Sequence, residues 1–213
     1  MTFEPFEWVR SPMQARSQER LERILDAAEE VIAEKGFEKA TIAEIMARAE
    51  SSVGIFYKRF REKEDLLRCI HDRFSIQSMA TADAGLDPER WANVPVKEIV
   101  HTAIPFLVQV YRERRGLIRA FLLRAAIDPK FAERANFEQA YTAEKVADLL
   151  LVRRDEILHP DPPRAIAVGM QLVRNNLNAL VLFDLEERAG FSIDDEPLGQ
   201  ELARAFLGYL GIQ

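Results

Sequence analysis

The sequence predicts an all-α fold: an N-terminal three-helix helix-turn-helix domain and a C-terminal helical bundle domain, about nine or more helices in total. Three observations predict it. Apolar residues recur at helical spacing almost throughout, and no convincing run alternates as a half-buried strand would. Two short helical patterns of about eight residues sit close together near the start, braced by a longer one, which outlines a helix-turn-helix. The later patterns are long, and glycine, proline and aspartate separate them.

Leu21, Ile24, Leu25, Ala28, Val31 and Ile32 form one apolar stripe and carry the first helix. Upstream, Ser11-Pro12-Met13-Gln14 offers an N-cap, a proline at the first helical position and a capping-box glutamine, although a start a few residues later fits equally. Gly36 supplies the left-handed stop, and Phe37 can pack back on the last turn. Thr41-Ile42-Ala43-Glu44 is a capping box opening the second helix, whose inner face is Ile42, Ile45, Met46 and Ala49. Ser51-Ser52 can cap the third, anchored by Phe56 and Phe60. A fourth opens near Lys63-Glu64-Asp65 and runs through Leu66, Leu67, Ile70 and Phe74.

The first domain is therefore expected over residues 11–74 and the second over 75–213. Residues 80–93, with Gly85, Asp87, Pro88 and Asn93, are expected to connect them. Helices should follow at about 96–114, 117–127, 129–157, 163–188 and 197–210, with breaks at Gly116, Asp128-Pro129, 159–163 and 190–197. Pro105 falls inside one of these patterns and should kink it, opening space for a ligand.

Composition narrows the function. The chain has 213 residues, a net charge of −6 and one cysteine, Cys69, so neither a disulfide framework nor a cysteine metal cluster is expected. Residues 1–10 mix Glu4, Glu7 and Arg10 with aromatics, unlike a signal peptide, and no apolar run reaches the ~18 residues of a membrane helix. A cytoplasmic protein with no membrane partner is expected. His71, His101 and His159 are far apart, and there is no glycine-rich phosphate loop, nucleophile elbow or paired-carboxylate motif. An enzyme is not expected, and no cofactor or metal is implied. The acidic balance does not exclude nucleic acid, because phosphate binding depends on where charges sit. Residues 51–61 contain Lys58, Arg59 and Arg61 and no acid. In a helix-turn-helix the second short helix enters the major groove, with its N-terminal residues on base edges; here these are Ser52, Val53, Gly54 and Ile55. Arg10 and Arg16 could add an N-terminal arm reaching phosphate or the minor groove.

Thr41-Ile42-Ala43-Glu44-Ile45, Ala47, Ala49, Ser52-Val53-Gly54-Ile55-Phe56-Tyr57, Phe60, Lys63-Glu64 and Leu66 together resemble the DNA-binding signature of the TetR/AcrR family of transcription regulators, over about residues 16–74. The resemblance implies phosphate contacts for Thr41, Tyr57 and Lys63. It implies groove-facing or base-facing roles for Ser52, Val53, Gly54, Ile55 and Lys58, and packing roles for Ile45, Ala47, Phe56 and Phe60. Two departures stand out. The turn usually reads Ala-Gly-Val-Ser but here is Ala49-Glu50-Ser51-Ser52, which puts an acid where glycine's freedom at positive φ is usual. Arg59 replaces a common histidine and brings a phosphate-compatible charge.

The larger domain carries no comparable signature. Apolar residues from Ile166 to Leu185 cover most of one helix circumference, so that helix must be buried on several sides. With the stripe Leu198, Leu202, Phe206, Tyr209 and Leu210, it is expected to build a homodimer interface of two helices from each subunit. Phe106, Val110, Phe121, Arg124, Tyr141, Met170, Arg174, Asn175 and Asn178 mix apolar walls with a few polar groups and form the candidate ligand set. The expectation is a DNA-binding repressor: a homodimer on a palindromic double-stranded operator, released by a small apolar or amphipathic effector. The alternative is a helical small-molecule or partner-binding protein whose DNA binding is impaired.

Overall fold

The computed structural model describes residues 15–183 and 190–212, with nine α-helices and no strand among them. In order these are α1 (Ala15–Lys35), α2 (Ile42–Arg48), α3 (Val53–Arg59), α4 (Lys63–Gly85), α5 (Val96–Glu113), α6 (Arg115–Ala125), α7 (Pro129–Leu151), α8 (Pro162–Phe183) and α9 (Leu198–Leu210). A single 3₁₀ turn, Arg154–Glu156, follows α7. The Ser11 helix start and Arg10 lie outside the described residues.

Two compact units emerge. The first comprises the described residues up to Gln77 together with Gly116–Phe137. Its core joins Leu21, Ile24, Leu25, Ala28, Val31 and Ile32 of α1 to Ile45 and Met46 of α2, Phe56 and Phe60 around α3, and Leu66, Leu67 and Ile70 of α4. Gly36 ends α1 at φ +80°, with its N–H on Ile32 O at 2.8 Å. Gly116 is not a break as expected but lies inside α6; a Cβ there would sit 2.9 Å from Ala33 Cα, so glycine allows α6 to reach the α1 backbone. The break falls two residues earlier, where Arg114 closes α5.

Buried charges brace this unit. The Asp65 side chain is fully buried and accepts from Arg61 N and Nε at 3.1 Å each and from Arg68 at 3.0 Å. Arg68 also donates to Asp128 at 2.7 Å, and Asp128 in turn accepts from the Lys130 and Phe131 amides that open α7. Asp65 and Asp128 thus each have a cation and a backbone donor, the condition under which withdrawing charge from water is tolerated.

The second unit comprises Ser78–Arg115 with Glu138–Gln213. The expected connection at 80–93 is instead helical through Gly85, because the alanine-rich stretch continues the α4 pattern; the Trp91 indole N–H caps its end by donating to Gly85 O at 2.7 Å. The single helix expected at 129–157 stops at Leu151. There the Arg153 guanidinium takes the carbonyl of Leu149, in the last turn, and that of Trp91. Glu156 then accepts from Val96 N at 2.7 Å and caps α5. Pro105 lies inside α5, but it opens no ligand space: a Cβ on Gly199 would sit 2.8 Å from Pro105 Cα, so α9 fills that position. Gly169 of α8 likewise lies directly under the Phe206 ring of α9.

Among the described residues α8 alone is long and apolar enough to cross a membrane. It buries Ala165, Ile166, Val173, Leu177, Leu180 and Val181 in its unit and carries Arg174, Asn175, Asn176 and Asn178 mid-helix. Val168, Leu172 and Phe183 line its other side, 37%, 57% and 68% exposed, and Tyr209 of α9 is 38% exposed. The expected burial on several sides is thus met on one face only within the chain.

Candidate nucleic-acid interface

The second and third helices are set by local chemistry. Thr41 caps α2: its hydroxyl accepts from Glu44 N at 3.2 Å, and Glu44 accepts from Thr41 N at 3.1 Å. The Lys35 ammonium, and then the Thr41 hydroxyl, hold the Glu44 carboxyl down to about 2. Arg48 pairs with Glu34 at 2.6 Å and fixes α2 against α1.

The turn into α3 adopts the left-handed residue that the glycine of the usual turn would supply, here with glutamate. Glu50 has φ +49°; its N–H reaches Ala47 O at 3.1 Å, and Ser51 N reaches Met46 O at 2.8 Å. Those two bonds are a Schellman closure of α2. An L-residue in that region is strained by about 1–2 kcal/mol.

The third helix presents a face to solvent. Ser52, Val53, Gly54, Tyr57 and Lys58 are exposed, Ile55 is half-buried, and Phe56 and Phe60 are buried anchors with ring centroids 5.1 Å apart. Ser52 occupies the N-cap, but its hydroxyl makes no capping bond. Ser51 Oγ is buried without a hydrogen-bond partner. A Cβ at Gly54 would meet nothing nearer than Ser52 Oγ at 3.9 Å, so no packing requires glycine there. Gly54 lies in the first turn of α3, where a bare backbone on the outer face suits close approach by a partner.

Three expected phosphate contacts are occupied within the protein. Arg59 is buried, and its guanidinium donates to Ser17 O and Oγ at 2.6 Å each. Lys63 donates to Phe37 O at 2.8 Å and Ala40 O at 3.0 Å, with its ammonium 4.3 Å from the centre of the Phe37 ring. The Thr41 hydroxyl is engaged with Glu44. Arg59 and Lys63 therefore hold loops and helices together. Tyr57 remains outside, 56% exposed, with its ring edge-on to Phe56.

The candidate ligand residues do not converge. Phe121 is buried in the core of the first unit, and Arg124 there pairs with Asp128 at 3.2 Å. Phe106 is 56% exposed and Asn175 lies on the surface, bonded to Gln171 at 2.7 Å. Tyr141 donates to Asp83 at 2.7 Å, on the wall of an open groove of about 440 Å³ that also includes Lys145 and Asp148. In the second unit Asn178 joins a part-buried polar group, and half-buried Arg174 lies one turn before it on α8. Tyr111 donates to Asn178 Oδ1 at 2.7 Å, and Ser78 donates to Glu138 at 2.5 Å. Burial raises the Glu138 carboxyl and pushes the Tyr111 hydroxyl up to about 12. Ser78 and Glu138 were not among the expected residues. The signal for Glu138 is its place on the apolar stripe Phe131, Ala135, Thr142, Val146 and Leu149, where an acid is out of pattern.

Residues 24–70 match the family model described as bacterial regulatory proteins, tetR family. The chain is 27% identical over 201 residues to the HTH-type transcriptional regulator YerO of Bacillus subtilis, covering 89% of this chain and 68% of that one. Its fold is similar to a tetR-family regulator structure from Mesorhizobium loti, with TM-score 0.70 and 18% identity over 93% of this chain and 96% of that one. It is also similar to FadR of Bacillus subtilis in complex with stearoyl-CoA, with TM-score 0.67 and 17% identity over 88% and 98% of the two chains. With the capped α2, the tight turn and the exposed face of α3 on the same stretch that the family model matches, residues 24–70 form a helix-turn-helix domain similar to that of bacterial tetR-family regulators.

Proposed function

We propose that the protein is a repressor that binds a palindromic or nearly palindromic operator as a homodimer and leaves it when a small apolar or amphipathic effector binds the second unit. The observation that carries the DNA half is the outward face of α3, where Ser52, Val53, Gly54, Tyr57 and Lys58 are presented and an otherwise unneeded glycine bares the backbone. Val53 and Lys58 would read bases, Tyr57 would contact phosphate, and Ser52, Gly54 and Ile55 would lie in the groove.

The dimer is supported by the stripe Val168, Leu172 and Phe183 on α8 beside Tyr209 of α9, large apolar side chains left in solvent on adjacent helices. A twin copy would cover it by isologous packing of four helices and place two α3 helices about one DNA turn apart. The effector half is supported by the part-buried polar group of Tyr111, Asn178, Ser78 and Glu138 among largely apolar helices. FadR, a protein of similar fold, takes an amphipathic acyl-CoA. Effector and operator would then be negatively coupled, each weakening the other by the same factor.

Selection of genomic fragments on the purified protein, followed by footprinting, tests this reading. It predicts a protected site with two-fold symmetry and a protein dimer by sedimentation. A monomer, or an asymmetric site of one half-length, would contradict it. The second reading, a helical binding protein with weakened DNA contact, is favoured by the inward direction of Arg59 and Lys63 and by Glu50 at the turn. Failure to retain any fragment at low salt would favour it.

A further inference from the structure

Within the second unit, four helices bring half-buried polar groups together beside buried Tyr111 without exhausting their bonding capacity. Ser78 of α4 serves Glu138 of α7, and Tyr111 of α5 serves Asn178 of α8. Arg174 lies one turn before Asn178 on the same face of α8, and its Nε is sealed from solvent with no hydrogen-bond partner. Its Nη2 reaches only as far as Gln171 Oε1, at 3.4 Å. The Arg174 charge is felt by both Glu138 and Tyr111, yet among the described residues it forms no ion pair with Glu138.

A buried donor without an acceptor is costly, and native structures seldom keep one without a use. A carboxylate and a guanidinium in one poorly solvated region attract each other strongly and would close into a pair if nothing had to fit between them. Here they stay apart. Their charges cancel, so a charged guest would leave one buried charge uncompensated, whereas a neutral guest leaves the balance intact.

We infer that Glu138 and Arg174, flanked by Tyr111 and Asn178, anchor the head of the effector, and that this head is uncharged, with an acceptor for Arg174 Nε and a donor for Glu138. A carboxamide or a hydroxyl on an apolar body has that chemistry. Half-buried Val110 and Met170, neighbours of Tyr111 and Arg174 on their helices, would meet the body. The inference rests on the effector-responsive reading above and adds the chemical class of the effector.

Calorimetry on the full chain without DNA tests it, using octanamide, octanoate and octylammonium, whose tails are equal. Octanamide should bind about tenfold more tightly than either ion. Glu138→Gln should swing the preference towards octanoate, and Arg174→Gln towards octylammonium; residues that merely pack the core would weaken all three together. Circular dichroism melts check that the variants fold. Should either fail to fold, Tyr111→Phe, which keeps the ring, should weaken octanamide most. Absence of saturable octanamide binding, an ion bound as tightly as octanamide, or a loss shared equally by all three probes would overturn the inference. Because the calorimetry uses no DNA, its outcome is separate from the repressor reading: octanamide that binds there but, in a second titration, fails to release the protein from operator DNA would contradict that reading and leave the site standing.

Discussion

The Arg59 guanidinium donates to both the backbone oxygen and the hydroxyl of Ser17, at 2.6 Å each, which ties the end of α3 to the start of α1. A cation that a sequence reader assigns to phosphate is thereby a brace. Its direction makes the outer face of α3 less basic than its composition suggests, with Lys58 the exposed cation of that helix.

Arg59→Met should destabilise the protein by about 1–3 kcal/mol, since charge-assisted bonds are lost and the Ser17 carbonyl must find water. Urea unfolding measures this. In salt titrations of DNA binding the slope should stay unchanged; a slope shallower by about one would instead mean that Arg59 meets a phosphate.

Lys63→Met should behave similarly. Its ammonium satisfies the carbonyls of Phe37 and Ala40 in the loop between α1 and α2, so the expected cost is about 1–2 kcal/mol, again with no change in salt slope. An unchanged melting temperature combined with uniformly weaker DNA binding would return Lys63 to the phosphate contacts.

Glu50→Gly should stabilise the protein. The left-handed φ of +49° strains glutamate by about 1–2 kcal/mol, and glycine's extra freedom in the unfolded chain takes back about 0.5–1 kcal/mol of that. A higher melting temperature and tighter DNA binding are expected together, because an exposed acid also leaves the turn. A lower melting temperature would show that the glutamate makes a favourable contact worth more than the strain.

His71 should make stability sensitive to mild acid. Burial, and then the nearby Arg134 charge, push its imidazole down to about 4 from 6.5, and it packs between Phe121 and Phe131 with ring centroids 4.8 Å and 4.5 Å away. As pH falls through 6.5 the unfolded chain takes up a proton that the folded protein refuses until about 4, so stability is lost across that window. Between pH 7 and pH 5 the loss is about 2 kcal/mol. Glu138 contributes with the opposite sign, because its raised carboxyl gains a proton in the folded state first, but it does so equally in a His71→Gln variant. The carboxyls of Glu44 and Asp128, held low, lose their contribution only at more acid pH. His71→Gln should therefore show a flatter stability curve from pH 7 to 5; parallel curves would contradict a neutral buried His71.

What the sequence makes legible is local. The capping box at Thr41 and Glu44, the stop at Gly36 and the α1 stripe each depend on residues within one or two turns, so spacing alone reveals them. The directions of Arg59 and Lys63 do not, because their partners lie 42 and 26 residues away. Gly116 reads as a break from the sequence, since only the packed fold shows that Ala33 needs its missing side chain. The residues around Arg174 were half visible: Arg174 and Asn178 stood out as polar on an apolar helix, while Ser78 and Glu138 join them only through the meeting of four helices.

The proposed DNA-binding surface is the exposed face of α3, where Val53 and Lys58 would meet base edges and Tyr57 a phosphate. Fluorescence anisotropy of a selected genomic fragment, titrated from low to physiological salt, tests it most directly. Tight binding at low salt is expected, with log K falling linearly as log salt rises and the preference among operator sequences relaxed in Lys58→Ala. Failure to bind at the lowest salt, where phosphate contacts are strongest, would contradict it.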